Sequence, residues 1–572
     1  MRDPAARWLY EVPGRKKAYI AALMLVQMLH GASGVLYAAI LKKVVDSAAA
    51  RDSASFRINM ITVILVSAGQ LALRAAVRRL SELSRSTLEN TFKQRLAETI
   101  LQGDYLKVSS VHSAEWMNRL TSDTAVIADG ITDIFPGLAG MLVRLVSAVI
   151  MLTVLEPAFA GLIIPGGALL VVLTWLFRKV LRKLHRAVQE ADGRLRITLQ
   201  ESIAGLLMIR SFAAEDKAIA DAQARMTDHQ RARMRRNRFS NLCNVGFGAA
   251  MSGMYLLGVG WCGYGILKGT VSFGTLTAVL QLISQIQMPI ANISGYLPRY
   301  YSMLSSAERL MEAESLGGPP AEAMSLQDAV DLYRSGMTGF GLDRVSFSYL
   351  PASDTVEVQD KGNMPEVLND LSLYIKKGEY VAFTGHSGCG KSTALKLLMC
   401  VYGPDAGRVY CTGANGQEMT MDQTFRRLFA YVPQGNLLLS GSIRDVVSFA
   451  DPSSSYDDNR LREALRIACA DEFTDGLEGG VDALLGERGS GLSEGQMQRL
   501  AIARAVFSRS PILLLDEATG ALDEATERQV LENLRNMTDR TVIIVTHRRA
   551  ALSICDREIE FIGSGVIEHA GK

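Results

Sequence analysis

A chain of 572 residues exceeds what one hydrophobic core usually serves, so two or more domains are expected. Hydrophobic residues make up 48% of it against 21% charged, with a mean hydropathy of +0.13, which is richer than a mixed soluble enzyme needs and points to a membrane. Lys plus Arg (61) nearly balances Asp plus Glu (59), and the net charge of +2 gives no reason to expect nucleic acid as a partner.

The first segment, MRDPAARWLYEVPGRKK, is basic, has no small-residue cleavage site after a short apolar core, and leads into a run long enough to span a bilayer; an uncleaved cytoplasmic start is expected. Residues 18–41 carry no formal charge, and at about 1.5 Å per residue they cross a hydrocarbon core of roughly 30 Å. Comparable stretches follow at 58–77 (broken late by Arg74), 134–155 (carrying Arg144), 157–177, 239–267 and 269–298. Six spans are predicted.

Orientation follows from the Lys and Arg flanks, which stay cytoplasmic. Arg74, Arg78, Arg79 and Arg85 leave the second span, Arg178, Lys179, Arg182, Lys183 and Arg186 leave the fourth, and Arg231, Arg233, Arg235, Arg236 and Arg238 enter the fifth. The opposite connections are short, with Glu156 between spans three and four and Lys268 between five and six; the 42–57 loop, with Lys42, Lys43, Arg51 and Arg57, fits less cleanly. Both termini and the C-terminal domain are therefore expected on the cytoplasmic side of the cell membrane. The long polar connections 78–133 and 178–238 should be helices continuing out of the membrane, each with a segment able to turn and cap another domain, at 112–124 and 199–215.

Polar residues inside the spans (Gln27, His30, Gln70, Arg144, Trp175, Gln281, Gln285 and Gln287) either mark a pathway or join helices. Residues 1–315 thus form a membrane domain. A Gly/Pro-rich linker, SLGGPPAEAMS, opens the 316–339 stretch, and beyond it no long apolar run recurs. The seven cysteines are scattered without metal-ligand spacing and read as free thiols in a reducing compartment.

In the C-terminal part, strand-like Tyr380–Thr384 leads into GHSGCGKST (residues 385–393) and then a helical pattern. The G-x-x-x-x-G-K-[ST] spacing lets backbone N–H groups of Gly385, Ser387, Gly388, Cys389 and Gly390 close around phosphates at a helix N-terminus, with Cys389 a small filler. Lys391 would reach the β- and γ-phosphates, Ser392 would ligate Mg²⁺, and Thr393 completes the loop. A second apolar run, Ile512–Leu515, has the look of a parallel strand buried on both faces and ends in Asp516 and Glu517, which by themselves read as a solvated strand end and, at the edge where such sheets place ligands, as one group to hold Mg²⁺ through water and one to polarise an attacking water. A third, Val542–Val545, brings Thr546 and His547 to the same edge.

Between these lies GSGLSEGQMQR (residues 489–499), opening a helix. Its LSEGQ, Leu492 to Gln496, resembles the signature loop of ABC-type ATPases, and the other family elements follow in order: Tyr349 in VSFSY, the phosphate loop, Gln434 in YVPQGN, GERG at 486–489, LLLDE, the GALD loop ending at Asp523, and His547. The resemblance covers about 340–565, within a predicted ATPase domain of 340–572. The six spans are similar to the exporter-type membrane domain. The fold expected is a multidomain membrane protein, a six-helix all-α transmembrane domain followed by an α/β P-loop ATPase domain of ABC type.

The resemblance implies that Tyr349 stacks on adenine, Gln434 senses Mg²⁺ and the membrane domain, Glu517 is the general base, and His547 contacts the γ-phosphate. Ser493, Gly495 and Gln496 would meet ATP held by another subunit, and Asp523 would lie beside the nucleotide. A second copy of the chain is thereby expected as partner, along with membrane lipids and an exported small molecule, lipid or peptide. It also implies that the 112–124 and 199–215 segments dock on ATPase domains. Two departures are Glu494, where the family often has Gly, and the insertion from Pro351 to Glu366. A soluble ATPase of this type would lack the spans, and an importer would normally carry its two parts on separate chains. An ATP-regulated channel or receptor, and the consensus half of a heterodimer, are the alternatives. No peptidase domain precedes the first span, which disfavours a peptide exporter that trims its own cargo.

Overall fold

The computed structural model describes residues 4–317, 323–349, 366–435, 438–486, 489, 491–537, 539–563 and 565–570, except the side chains at 164, 168–171, 173–176, 178, 179, 291, 294 and 570. The insertion at 351–366, apart from its last residue, and the middle of GERG lie outside them. The chain forms two compact units, Met1–Gln94 with Arg119–Met311, and Arg95–Asn118 with Glu312–Lys572.

The first unit is built on long helices: Lys17–Ala49, Ser53–Gln102, Thr124–Leu155, Pro157–Ala204, Glu215–Leu267 and Phe273–Ser315. Among the described residues, five helical stretches, Gly14–Ala49, Ser53–Gln102, Ser113–Leu155, Glu215–Leu267 and Phe273–Ser315, are long and apolar enough to cross a membrane. In the remaining one, Pro157–Ala204, the start at Pro157–Gly167 is apolar and most side chains beyond it fall outside the described residues. The span expected at 269–298 begins as helix only at Phe273. Gly269 adopts φ +74, and the Ser272 hydroxyl accepts the Thr275 N–H at 3.1 Å, so a turn and a cap occupy the first four positions.

Close backbone approach and polar cross-links hold these helices. A Cβ on Gly31 would lie 2.4 Å from the Gly140 carbonyl oxygen, and one on Gly140 would lie 2.9 Å from that of Gln27, so both glycines are needed for this helix crossing. Gln70 donates to the Ser33 carbonyl (2.9 Å), Gln285 to that of Gly34 (2.6 Å) and Gln287 to that of Met251 (2.9 Å). These three glutamines join helices, which decides one of the two roles left open for the intramembrane polar residues. Farther along, buried Asp123 accepts from Ser306 (2.9 Å) and pairs with Arg309.

The second unit contains two larger sheets. An antiparallel one runs in the order Leu368–Lys376, Met337–Phe347, Ala406–Gly413, Glu418–Thr420. The other has six strands in the order Gly565–Ala570, Arg557–Ile562, Tyr380–Thr384, Thr541–Val545, Ile512–Asp516, Phe429–Val432, all parallel except the first pair. Strands 380–384, 512–516 and 541–545 are buried at every position, because both faces of the sheet are covered. Val381, Phe383, Ile512, Leu514, Ile543 and Val545 face one core, shared with Ala394, Leu395 and Leu398 of the helix Lys391–Leu398. Tyr380, Ala382, Leu513, Leu515, Val542 and Ile544 face the other, shared with Leu500 to Phe507 of the helix Glu494–Phe507. The two helices that begin at glycine-containing loops therefore lie on opposite faces of one sheet.

Residues 95–118 join this unit through a short helix, Tyr105–Ser110, ahead of the 112–124 stretch. Asp104 caps it by accepting the Leu106 N–H at 3.0 Å. Leu106 is buried in the ATPase core, and the Tyr105 ring stacks on Tyr402 at 5.8 Å. In the membrane unit, the helix Leu206–Ser211 lies inside the 199–215 stretch.

Candidate functional site

The strand Tyr380–Thr384 ends at the sheet edge where parallel sheets place ligands. Gly385, Gly388 and Gly390 have φ of +122, +84 and +98, values a side chain would strain, and a Cβ on Gly385 would come within 2.4 Å of the Phe561 carbonyl oxygen. The loop so formed opens the helix at Lys391. That side chain is 7% exposed and turns back, its ammonium donating to the carbonyls of Gly385 (2.5 Å) and His386 (2.9 Å). The ammonium thus lies at the mouth of the phosphate loop, held by backbone oxygens that an anion can replace.

Two parallel strands away, Ile512–Asp516 delivers its carboxylates. Asp516 is 2% exposed and accepts from Ser392 Oγ (3.1 Å) and from the Tyr431 hydroxyl (3.0 Å). Burial first, and the neighbouring Asp516 charge second, push the Tyr431 phenol well above its usual range, so it stays a donor at physiological pH. Glu517 has φ +51 and is pinned by its N–H to the Val545 carbonyl (3.1 Å), while its carboxylate accepts from Gln434 Nε2 at 2.7 Å. His547 is exposed just beyond the adjacent strand.

The donor set fits a hard cation. Ser392, Asp516 and Gln434 offer oxygen, Ser392 and Asp516 already touch, and among the described residues no cluster of three or more His, Cys, Asp or Glu forms an all-protein cage. An ion sharing its shell with phosphates and water suits Mg²⁺.

Tyr349 lies on the flank of the loop, with its hydroxyl 2.8 Å from Thr393 Oγ1 and its ring edge-on to Phe347 (5.2 Å) and Tyr402 (5.8 Å). It is 37% exposed, leaving part of the ring open to a base. Ser387 and Gly388 are exposed on the loop, and Cys389 is buried beneath it.

On the opposite face, Ser493 caps the helix Glu494–Phe507 in a reciprocal box: its hydroxyl accepts the Gln496 N–H (3.3 Å) and Gln496 Oε1 accepts the Ser493 N–H (2.8 Å). Glu494 is exposed in the first turn, where a carboxylate favours the helix dipole. A Cβ on Gly495 would lie 3.0 Å from the Ala521 carbonyl oxygen, so glycine lets the signature helix meet the loop before Asp523. Asp523 in turn caps the helix Glu524–Arg535, and the Thr526 N–H it accepts holds its carboxyl below the ordinary range.

Three residues of this architecture were not singled out from sequence. Tyr431 anchors Asp516. Gln498 accepts the Ala521 N–H (2.9 Å), tying signature helix to Asp523 loop, and Arg548 donates to the carbonyls of Gly520 (2.6 Å) and Leu522 (3.0 Å) while pairing with Glu527 (2.8 Å). Of these, only Arg548 carried a signal, as a cation directly after His547 at a strand end.

Comparison with known proteins bears on the two regions of the chain as wholes. A family model described as ABC transporter transmembrane region matches residues 20–290, and one described as ABC transporter matches residues 368–520. "ABC transporter B family member 1" of Dictyostelium discoideum is 29% identical over 84% of this chain and 51% of its own length. "ATP-binding cassette sub-family B member 10, mitochondrial" of Mus musculus is 30% identical over 83% of this chain and 64% of its own. Among solved structures, "Structure of a bacterial Atm1-family ABC exporter with ATP bound" superposes with a TM-score of 0.76 at 20% identity, covering 98% of this chain and 96% of that one. The chain spans about half the length of several curated relatives it matches.

Proposed function

Because this chain belongs to the ABC transporter family, with the transmembrane region and the ATPase region of that family on one polypeptide, we propose that it is an ATP-driven half-transporter. In this reading two copies export a substrate, or flip it outward, across the cytoplasmic membrane by alternating access. The observation that carries the dimer is the placement of Lys391 and Ser493 on helices that start from opposite faces of one sheet. A signature loop so placed is free to complete the phosphate site of a second copy. The Lys and Arg flanks support a cytoplasmic position for the ATPase domain.

At each site Gly385 to Gly390 would bind the phosphates through backbone N–H groups, with Lys391 exchanging its loop carbonyls for phosphate oxygens. Ser392, Asp516 and Gln434 would hold Mg²⁺, which neutralises charge developing on the phosphates. Glu517 would accept a hydrogen bond from the attacking water and take its proton as the water oxygen bonds to the γ-phosphorus and the bond from that phosphorus to the β–γ bridging oxygen breaks, leaving ADP and inorganic phosphate. His547, Ser493 and Gly495 would orient the γ-phosphate, and Tyr349 would pack on adenine. Thr393, Gln496 and Asp523 would position these groups.

Glu494 is compatible with this arrangement because its side chain is exposed in the first helical turn, leaving the Ser493 hydroxyl and the Gly495 N–H for an anion. ATP hydrolysis by the purified chain in lipid vesicles, measured with Ser493→Gly and Lys391→Ala variants and with a mixture of the two, tests the reading. A mixture of the two inactive variants should recover part of the activity, since each mixed dimer then retains one site with an intact loop and an intact signature. No recovery would contradict sites shared between copies.

A further inference from the structure

The membrane unit holds a cluster of cationic side chains that its helix-joining glutamines leave unexplained. Gln70 reaches the Ser33 carbonyl on the neighbouring helix, so the face of Ser53–Gln102 that carries residue 70 turns toward Lys17–Ala49. One turn farther on that same face comes Arg74. On the third helix, the Arg144 backbone nitrogen is 3.3 Å from where a Cβ on Gly31 would sit, which puts residue 144 at the level of Gly31. His30 lies beside Gly31 in sequence, and among the described residues its buried Nδ1 has no hydrogen-bond partner. The helices Lys17–Ala49 and Ser53–Gln102 are joined by a short turn and run antiparallel, so the turn from residue 70 to Arg74 matches the turn from Ser33 back to His30.

Among the described residues no carboxylate pairs with Arg74 or Arg144. Three acidic residues of this unit are paired elsewhere, Asp129 with Arg85 (2.7 Å), Asp133 with Arg299 and Asp46 with Lys42 (2.7 Å). Arg144 and His30 fall near the middle of the apolar runs 134–155 and 18–41. The Arg144 guanidinium and the His30 imidazole at such depth, with Arg74 late in the run 58–77 beside them, are costly unless an anion visits them.

We propose that Arg74, Arg144 and His30 form an anion site in the membrane domain, and that the transported molecule presents a phosphate or similar oxyanion there. The inference rests on the transporter reading and adds the chemistry of its cargo. The two guanidinium forks would donate to the oxyanion, and His30 would add a donor when its proton sits on Nδ1.

Radiolabelled dodecyl phosphate is the probe, with the full chain held in nanodiscs of zwitterionic lipid. Wild type should bind it saturably, and dodecyltrimethylammonium should not compete. Arg144→Gln should weaken binding about tenfold or more, Arg144→Lys should stay within a few-fold of wild type, and His30→Gln should fall between. Competition by inorganic phosphate would identify a water-soluble anion as cargo, and competition only by amphiphilic phosphates a lipid headgroup; both support the site. Equal competition by the cation, or wild-type binding in Arg144→Gln, would overturn it; if Arg144→Gln does not fold, wild-type binding by His30→Gln does the same. ATP hydrolysis by wild type in the same nanodiscs separates the two readings: turnover without probe binding sinks this inference alone.

Discussion

Gln434 Nε2 donates to Glu517 Oε2 at 2.7 Å, joining the loop after Phe429–Val432 to the end of the neighbouring strand Ile512–Asp516. The carboxylate proposed as general base is therefore held by the residue proposed to sense Mg²⁺. Gln434→Ala should release Glu517 and remove an oxygen from the cation's shell. Supporting residues of this kind typically cost roughly 10- to 100-fold when lost. Turnover should fall by that factor, and added Mg²⁺ should recover part of it; a Gln434→Ala variant with unchanged Mg²⁺ dependence would separate Gln434 from the metal.

Lys391→Ala should fold, because the partners the ammonium gives up all belong to its own loop, whose residues 386–388 are exposed, so that water can reach them. Hydrogen bonds to charged groups contribute about 1.5–3 kcal/mol. ATP should therefore bind roughly 10- to 100-fold more weakly, measured by equilibrium binding of a labelled nucleotide. Unaltered affinity would remove Lys391 from the phosphate site.

Glu517 adopts φ +51, a conformation that costs an ordinary residue about 1–2 kcal/mol. The position keeps that strain with Glu or Gln and sheds it with Gly, which gives back roughly 0.5–1 kcal/mol in chain entropy. Glu517→Gly should consequently unfold at a temperature equal to or above that of Glu517→Gln, while hydrolysing no ATP. A clearly less stable glycine variant would mean the strain is absent.

Ser493 serves the fold as a cap as well as the proposed shared site. Replacing a Ser cap by Ala costs about 1 kcal/mol, and by Gly only a few tenths. Ser493→Gly and Ser493→Ala should lose hydrolysis to a similar degree, but only the alanine variant should melt early. If activity tracks melting temperature across the pair, the serine's role is structural.

The loop at 385–390 is legible because three of its glycines sit where φ must be positive and a lysine and a serine follow the last of them at fixed spacing. Asp516 and Glu517 were legible for a related reason: a strand buried on both faces has only its end to offer solvent. Tyr431 was not, since an aromatic in a short strand reads as packing until the neighbouring strand places Asp516 beside its hydroxyl. Gln498 looked like one more polar position on a helix; only the approach of Ala521 made it a cross-link. The start of the last long helix was set too early because hydropathy does not register the turn at Gly269 and the cap at Ser272. Gln70, Gln285 and Gln287 could not be assigned from composition, as joining helices and lining a path need the same side chains.

Glu517→Gln tests the central claim most directly, because it removes the base and keeps the shape of the side chain. Loss of a general base typically costs roughly 10² to 10⁴ in rate. The account predicts that this variant binds ATP, hydrolyses it at least about 10²-fold more slowly, and accumulates with ATP as a stable dimer of the chain on size-exclusion chromatography coupled to light scattering. Near wild-type hydrolysis, or a monomer with ATP bound, would contradict it.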